Sequence, residues 1–336
     1  MESARYMAVS SAGTRGAAYL GVIDALEDHL AAKTGTTYDA WRRQIVGVAG
    51  TSAGAIAVLF FALGLPRAVR HALVTELTDL RALLRKPDIG LLLQNFGLED
   101  GTAFKRVVQR ALESGGMSAH STLGDLSRLL RIDFVCMATD LQTGSAVPLS
   151  AANYPDMRVA DAVYASCCVP FLFAPQRVGG ALAVDGCLSC ALPEVFDEAK
   201  TLFMYVDAPR NESPCTNWTT FLHTIVQCAS HAQSHRIAGL HERNANVLRV
   251  CFPSTLASQT PALDPNLTPV ALARLVHWGY VVALDSLHGG AVTCGVNVAT
   301  THYVALMAAV RVLSAAEPEE APPEHDAGPH ECPPGG

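Results

Sequence analysis

The chain has 336 residues, half of them hydrophobic and 16% charged, with a formal net charge of −7. That length can bury a large core as one α/β domain or two smaller ones. The acidic balance, with no polybasic run, leaves no electrostatic footprint for nucleic acid and none for strong attraction to anionic lipid, so any lipid contact would have to be apolar or through the active site.

The opening MESARYMAVSS passes at once into an apolar strand-like segment at residues 6–9. It lacks the charged-then-apolar layout of a secretion signal, which points to a cytoplasmic protein with peripheral membrane contact at most. A helix is predicted over residues 17–30, with Leu20, Ile23, Leu26 and Leu30 on one face. Residues 46–66, VGVAGTSAGAIAVLFFALGLP, carry no charge and have the length of a membrane span. Gly50-Thr51-Ser52-Ala53-Gly54 divides them into a strand at 45–49 and a helix at 55–63, each a soluble core element too short to cross a bilayer.

Residues 67–130 read as mostly helical, interrupted by the loop QNFGLEDGT. Strands are predicted at 132–137, 181–184, 202–206 and 247–252, with a long helix over 218–240 and another opened by Thr268-Pro269 as N-cap and first turn. Alternating strands and helices predict a mainly parallel sheet covered on both faces. Residues 315–336 combine six acidic residues and six prolines with no Lys or Arg, the composition of a disordered tail, which leaves residues 1–314 as one domain. The ten cysteines are scattered and read as small buried thiols in a reducing compartment. Cys187 and Cys190 have redox or zinc spacing but no second pair.

Gly50-Thr51-Ser52-Ala53-Gly54 fits G-x-S-x-G, in which a serine sits on a strained strand-to-helix turn and the glycines allow a geometry that a Cβ would block. Ser52 would then lie at a helix N-terminus, where free N–H groups and the helix dipole stabilise a developing anion. The competing reading is a tight turn alone. The loop Ser11-Ala12-Gly13-Thr14-Arg15-Gly16 is a source of further backbone donors beside a cation. Ser11 stands where a dinucleotide fingerprint wants its first glycine, and no ribose-binding acid ends the next strand, which disfavours nucleotide binding.

Seven late histidines (His223, His231, His235, His241, His277, His288 and His302) leave a Ser-Asp-His triad open, without a motif that selects one. His231 and His235, one turn apart, could ligate a metal with Cys228 or simply face solvent. Asp185 ends the apolar segment ALAVDG and is either a base or a turn cap.

Taken together, SSAGTRGAAYLGVIDALE, GTSAG and VDG, with GLEDGTAFKRVV, ATDLQTGSAVPLS and DAVYASCCVPFLFAPQRVGGALAVDG between them, resemble the patatin-like phospholipases. These are serine lipid acyl hydrolases with a Ser–Asp dyad and no histidine. The likeness covers about residues 5–195 and implies a three-layer α/β/α fold in a single domain. It implies that Ser52 is the nucleophile within the elbow Gly50, Ala53 and Gly54, and that Asp185 is its base. Ala12, Gly13 and Thr14 would be the oxyanion loop and Arg15 its electrostatic support, with no metal and no cofactor required. The implied substrate is a phospholipid or lysophospholipid.

Two positions depart from the family pattern. Ser11 and Ala12 precede Gly13 where three glycines are usual, and Cys187 takes the place of the second glycine after the aspartate. A triad esterase and a catalytically silent lipid-binding protein are the alternatives. Oligomeric state has no signature in the sequence.

Overall fold

The structure is a computed structural model that describes residues 3–32, 37–84, 89–209, 246–264 and 266–288, together with Phe221, Thr224, Ile225, Cys228, Ile237, Leu240 and Asn244. These residues all belong to one compact unit. The predicted helix over 218–240 and the predicted tail at 315–336 fall wholly or largely outside them.

A mixed sheet with helices on both sides carries the fold. Its strands are β1 (Tyr6–Val9), β2 (Gly47–Thr51), β4 (Asp133–Asp140), β5 (Ala146–Ser150), β7 (Gln176–Val178), β8 (Ala181–Asp185), β9 (Thr201–Asp207) and β10 (Val247–Cys251), in the order β10-β9-β1-β2-β4-β8-β7, with β5 on β4. The five from β10 to β4 run parallel, while β5, β7 and β8 are antiparallel to their neighbours. All five residues of β2 are buried, as a strand covered on both faces requires. A separate two-stranded parallel sheet joins β3 (Gly97–Glu99) to β6 (Phe171–Phe173).

The helices are α1 (Ala18–Ala32), α2 (Tyr38–Arg42), α3 (Ala53–Leu63), α4 (Arg67–Thr78), α5 (Leu80–Leu83), α6 (Ile89–Asn95), α7 (Thr102–Ser114), α8 (Leu123–Leu130), α9 (Val159–Cys167), α10 (Ser254–Gln259) and α11 (Pro269–Leu287). Helix α3 is apolar throughout and nearly all buried, and it stops at Gly64, whose φ of 62° provides the left-handed C-cap. Helix α11 starts as expected: the Thr268 hydroxyl accepts from Ala271 N and Pro269 takes the first turn. By length and composition alone α11 could cross a membrane. It packs on α1 at backbone contact, since a Cβ on Gly21 would lie 1.8 Å from Val276 O and one on Gly279 would lie 1.9 Å from Ala18 O.

Several boundaries differ from the sequence reading. The second strand begins at Gly47 rather than residue 45, because the Ile45 N–H closes a turn onto Arg42 O. The first helix is entered through a 3-10 turn, Gly13–Ala17. Helix α3 begins at Ala53, directly after Ser52.

Candidate active site

Ser52 occupies the bend between β2 and α3 with φ 54° and ψ −123°, a conformation that costs a non-glycine residue about 1–3 kcal/mol and persists only when its surroundings impose it. The flanking glycines are part of that imposition. A Cβ on Gly50 would lie 2.4 Å from Gly54 O, and one on Gly54 would lie 2.3 Å from Val9 O. The Ser52 N–H donates to Ser166 Oγ at 3.0 Å, and that hydroxyl donates to Met137 O at 2.6 Å. Ser166, on α9, thereby ties the bend to β4; nothing in its spacing singled it out in the sequence.

Asp185 reaches the same point from the opposite direction. Strand β5 lies along one edge of β4, so β2 and β8 must share the other edge where their pairings meet. Strand β2 runs parallel to β4 and ends with Thr51 opposite Met137. Strand β8 runs antiparallel and ends with Asp185 opposite Ala138. Two strand ends therefore converge on consecutive residues of β4, and the Ser52 Oγ donates to Asp185 Oδ2 at 2.7 Å.

The other carboxylate oxygen, Oδ1, accepts the Cys187 N–H at 2.8 Å. Asp185 thus caps the turn after β8 while its other oxygen holds the Ser52 hydroxyl. Its burial is complete and its carboxyl is pushed up to about 6 by desolvation, opposed by the Cys187 and Ser52 hydrogen bonds. Among the described residues no histidine bonds Ser52 or Asp185. Of the seven late histidines only His277 and His288 are described, and the proposed metal pair His231 and His235 lies outside the described residues.

The loop before α1 abuts the bend, with the Cβ that Gly16 lacks falling 2.3 Å from Ala53 Cβ. Gly13 has φ 57°, the left-handed region, and a Cβ there would meet Ala262 O at 2.0 Å. Ser11, Ala12 and Cys187 have no positive φ, so the positions that depart from the family's glycines do not need one.

Two expectations about this loop change. The Thr14 N–H is taken by Ala262 O at 2.8 Å, and its hydroxyl donates to Pro261 O. Gly13 and Ala53 line the cavity with Ser52, and their amides bond no acceptor among the described residues. Arg15 is buried, and its guanidinium donates to Thr260 O at 2.7 Å and Ala257 O at 2.9 Å, which holds the loop after α10 against the 3-10 turn. Desolvation with no carboxylate partner lowers its pKa to about 10. Arg15 braces the loop; it does not stand free as a cation beside Ser52.

A small cavity of about 90 Å³ has Ser52 in its wall and is lined mostly by apolar groups, among them Ile56, Leu77, Leu80, Val169, Leu172 and Phe173. Cys167 also lines it. Cys136, Cys167, Cys168 and Cys187 are buried free thiols near the pair, each held protonated by desolvation, with Cys168 pushed up to about 12. Cys190 is half-buried, and its thiol donates to Leu192 O at 3.4 Å.

Comparison with known proteins agrees with this arrangement. A family model described as patatin-like phospholipase matches residues 7–195. The chain belongs to the patatin-like phospholipase family. Among relatives by sequence, the uncharacterised protein YqhO of Bacillus subtilis (strain 168) is 33% identical over 158 residues, 41% of this chain and 52% of YqhO. The chain thus spans about half the length of that curated relative. Among solved structures, VipD from Legionella pneumophila has a TM-score of 0.53 at 17% identity, covering 85% of this chain and 67% of VipD. ExoU in its complex with SpcU from Pseudomonas aeruginosa gives 0.44 at 17%, covering 85% and 51%. At such identity the VipD likeness speaks for the fold alone.

Proposed function

We propose that the protein hydrolyses carboxylic ester bonds of phospholipids or lysophospholipids, with Ser52 as nucleophile and Asp185 as general base. The observation that supports this best is the 2.7 Å hydrogen bond from Ser52 Oγ, in the wall of an apolar cavity, to a carboxylate oxygen of the fully buried Asp185. Ser52 Oγ attacks the ester carbonyl carbon as its proton passes to Asp185 Oδ2. The developing oxyanion faces the amides of Gly13 and Ala53. Collapse breaks the bond to the leaving alkoxide, which takes the proton from Asp185 and departs as an alcohol. Water then attacks the acyl–Ser52 ester, giving its proton to Asp185, and the fatty acid leaves as Ser52 Oγ recovers that proton.

The small size and apolar lining of the cavity suit one acyl chain. A carboxyl near 6 suits a base that is ionised at neutral pH yet basic enough to accept a proton. Purified protein incubated with phospholipid, lysophospholipid and short acyl esters, alongside Ser52→Ala and Asp185→Asn, tests the proposal. Fatty acid released by the wild type alone supports it. Full activity in Asp185→Asn would move the base elsewhere, and silence of the wild type on every ester would favour a lipid-binding protein.

A further inference from the structure

An apolar face outside the cavity remains unexplained. Helix α6 buries none of its residues, and its sequence, IGLLLQN, carries no charge. Ile89, Leu93 and Phe96 recur at the i, i+4, i+7 spacing of a single helix face, and they are 69%, 76% and 57% exposed. A soluble helix normally turns such a stripe inward.

Phe171 extends the face, 42% exposed, because it pairs in register with Gly97, the residue after Phe96. Both phenylalanines have left-handed backbones, φ 65° and 69°. Glycine or asparagine takes that conformation at far lower cost than a bulky aromatic. Of the four described non-glycine residues with positive φ, one is Ser52, one caps a helix, and these two are exposed phenylalanines.

Through Phe171 the face lies next in sequence to the cavity wall. Val169, Leu172 and Phe173, on either side of Phe171 in the chain, line the cavity that has Ser52 in its wall. An acyl chain held at Phe171 is thus next to the strand that walls the site.

We propose that Ile89, Leu93, Phe96 and Phe171 form the surface by which the protein docks on a lipid bilayer, inserting these side chains at the headgroup boundary. The proposal rests on the reading of the site as a phospholipid hydrolase. With a net charge of −7 and an uncharged helix, the attraction is apolar, so binding does not depend on anionic lipid and is nearly insensitive to salt.

Co-sedimentation of the full chain with phosphatidylcholine vesicles, in a Ser52→Ala background that leaves the vesicles intact, tests it. Binding is expected to fall about tenfold or more in Leu93→Asp and in Phe96→Asn. With Ser52 restored, both variants keep their activity on a soluble short-chain ester and lose it on vesicles. Phe96→Asn melts at an equal or higher temperature, since asparagine relieves the strained backbone.

Unchanged vesicle binding in both variants would overturn the proposal. So would a lower melting temperature with loss of soluble-ester activity in Phe96→Asn, which would make the ring a packing element. A concentration-dependent dimer that the variants dissolve would instead assign the face to a second copy. Phe96-dependent vesicle binding by a protein inactive on every ester would leave the surface standing and remove the hydrolase reading. Hydrolysis of a monomeric lysophospholipid without vesicle binding would do the reverse.

Discussion

Replacing Asp185 by asparagine should stabilise the protein at neutral pH while silencing it. The carboxyl is held at about 6 against an ordinary value of 3.8, so the native state binds its proton more tightly than the unfolded chain. Below about pH 4 both states are protonated and burial has no ionic cost. As pH rises through 6 the folded protein must carry a desolvated carboxylate, and stability falls by about 1.4 kcal/mol per pH unit, on the order of 3 kcal/mol in all.

Asparagine keeps the shape and the acceptor for the Cys187 N–H but cannot ionise, so Asp185→Asn lacks that loss. Urea denaturation of both proteins at intervals from about pH 4 to about pH 8 gives the difference in unfolding free energy, from which all other titrating groups cancel. The difference should shift in favour of the variant by about 3 kcal/mol between the acid and neutral ends, a few degrees in melting temperature. A difference that stays flat across that range would refute the reasoning, because Asp185 would then be no more basic when folded than unfolded.

On a soluble ester, kcat/KM should rise with pH along an acid limb centred near 6, where Asp185 loses its proton; a limb near 4 would mean the carboxylate is not desolvated in solution. Ser166→Ala leaves the Ser52 N–H and Met137 O without their shared partner, which should cost about 1–3 kcal/mol in thermal stability and lower kcat with little change in KM. Gly54→Ala drives a Cβ into Val9 O and should cost about 3 kcal/mol or more, read as loss of folded protein by circular dichroism. Arg15→Met removes the brace to Ala257 O and Thr260 O, and should lower kcat about tenfold while leaving KM nearly unchanged if the brace only positions the Gly13 amide.

The pairing of Ser52 with Asp185 came from the family resemblance, whose motifs carry glycines at both ends of the pair. Gly50, Gly54 and Gly186 each sit where a Cβ would strike backbone, and such positions leave a readable trace. Arg15 was legible as a residue but not in what it does. Its partners lie about 240 positions away in a loop whose carbonyls any residue could supply, so no side-chain pattern reports them. The same holds for Thr14, whose amide is closed by Ala262 O. Strands β5, β6 and β7 are three to five residues long, too short for an alternation to stand out, and the two-residue slip of β2 came from Ile45, apolar like a strand residue but held in a turn.

Strand β4 acts as a ruler for the site. Met137 and Ala138 are consecutive, and each fixes the end of one incoming strand, so the spacing of the reacting pair depends on a single peptide step rather than on the 133 residues that separate the two side chains in sequence. Most loops and helices between them are therefore free to lengthen, shorten or be replaced without moving Ser52 relative to Asp185. One residue inserted between Met137 and Ala138 would instead part them by about 3.3 Å, beyond hydrogen-bond reach. Under the proposed hydrolase reading, variation in acyl-chain fit has most of the intervening loops and helices to work with, and variation in the chemistry has almost none.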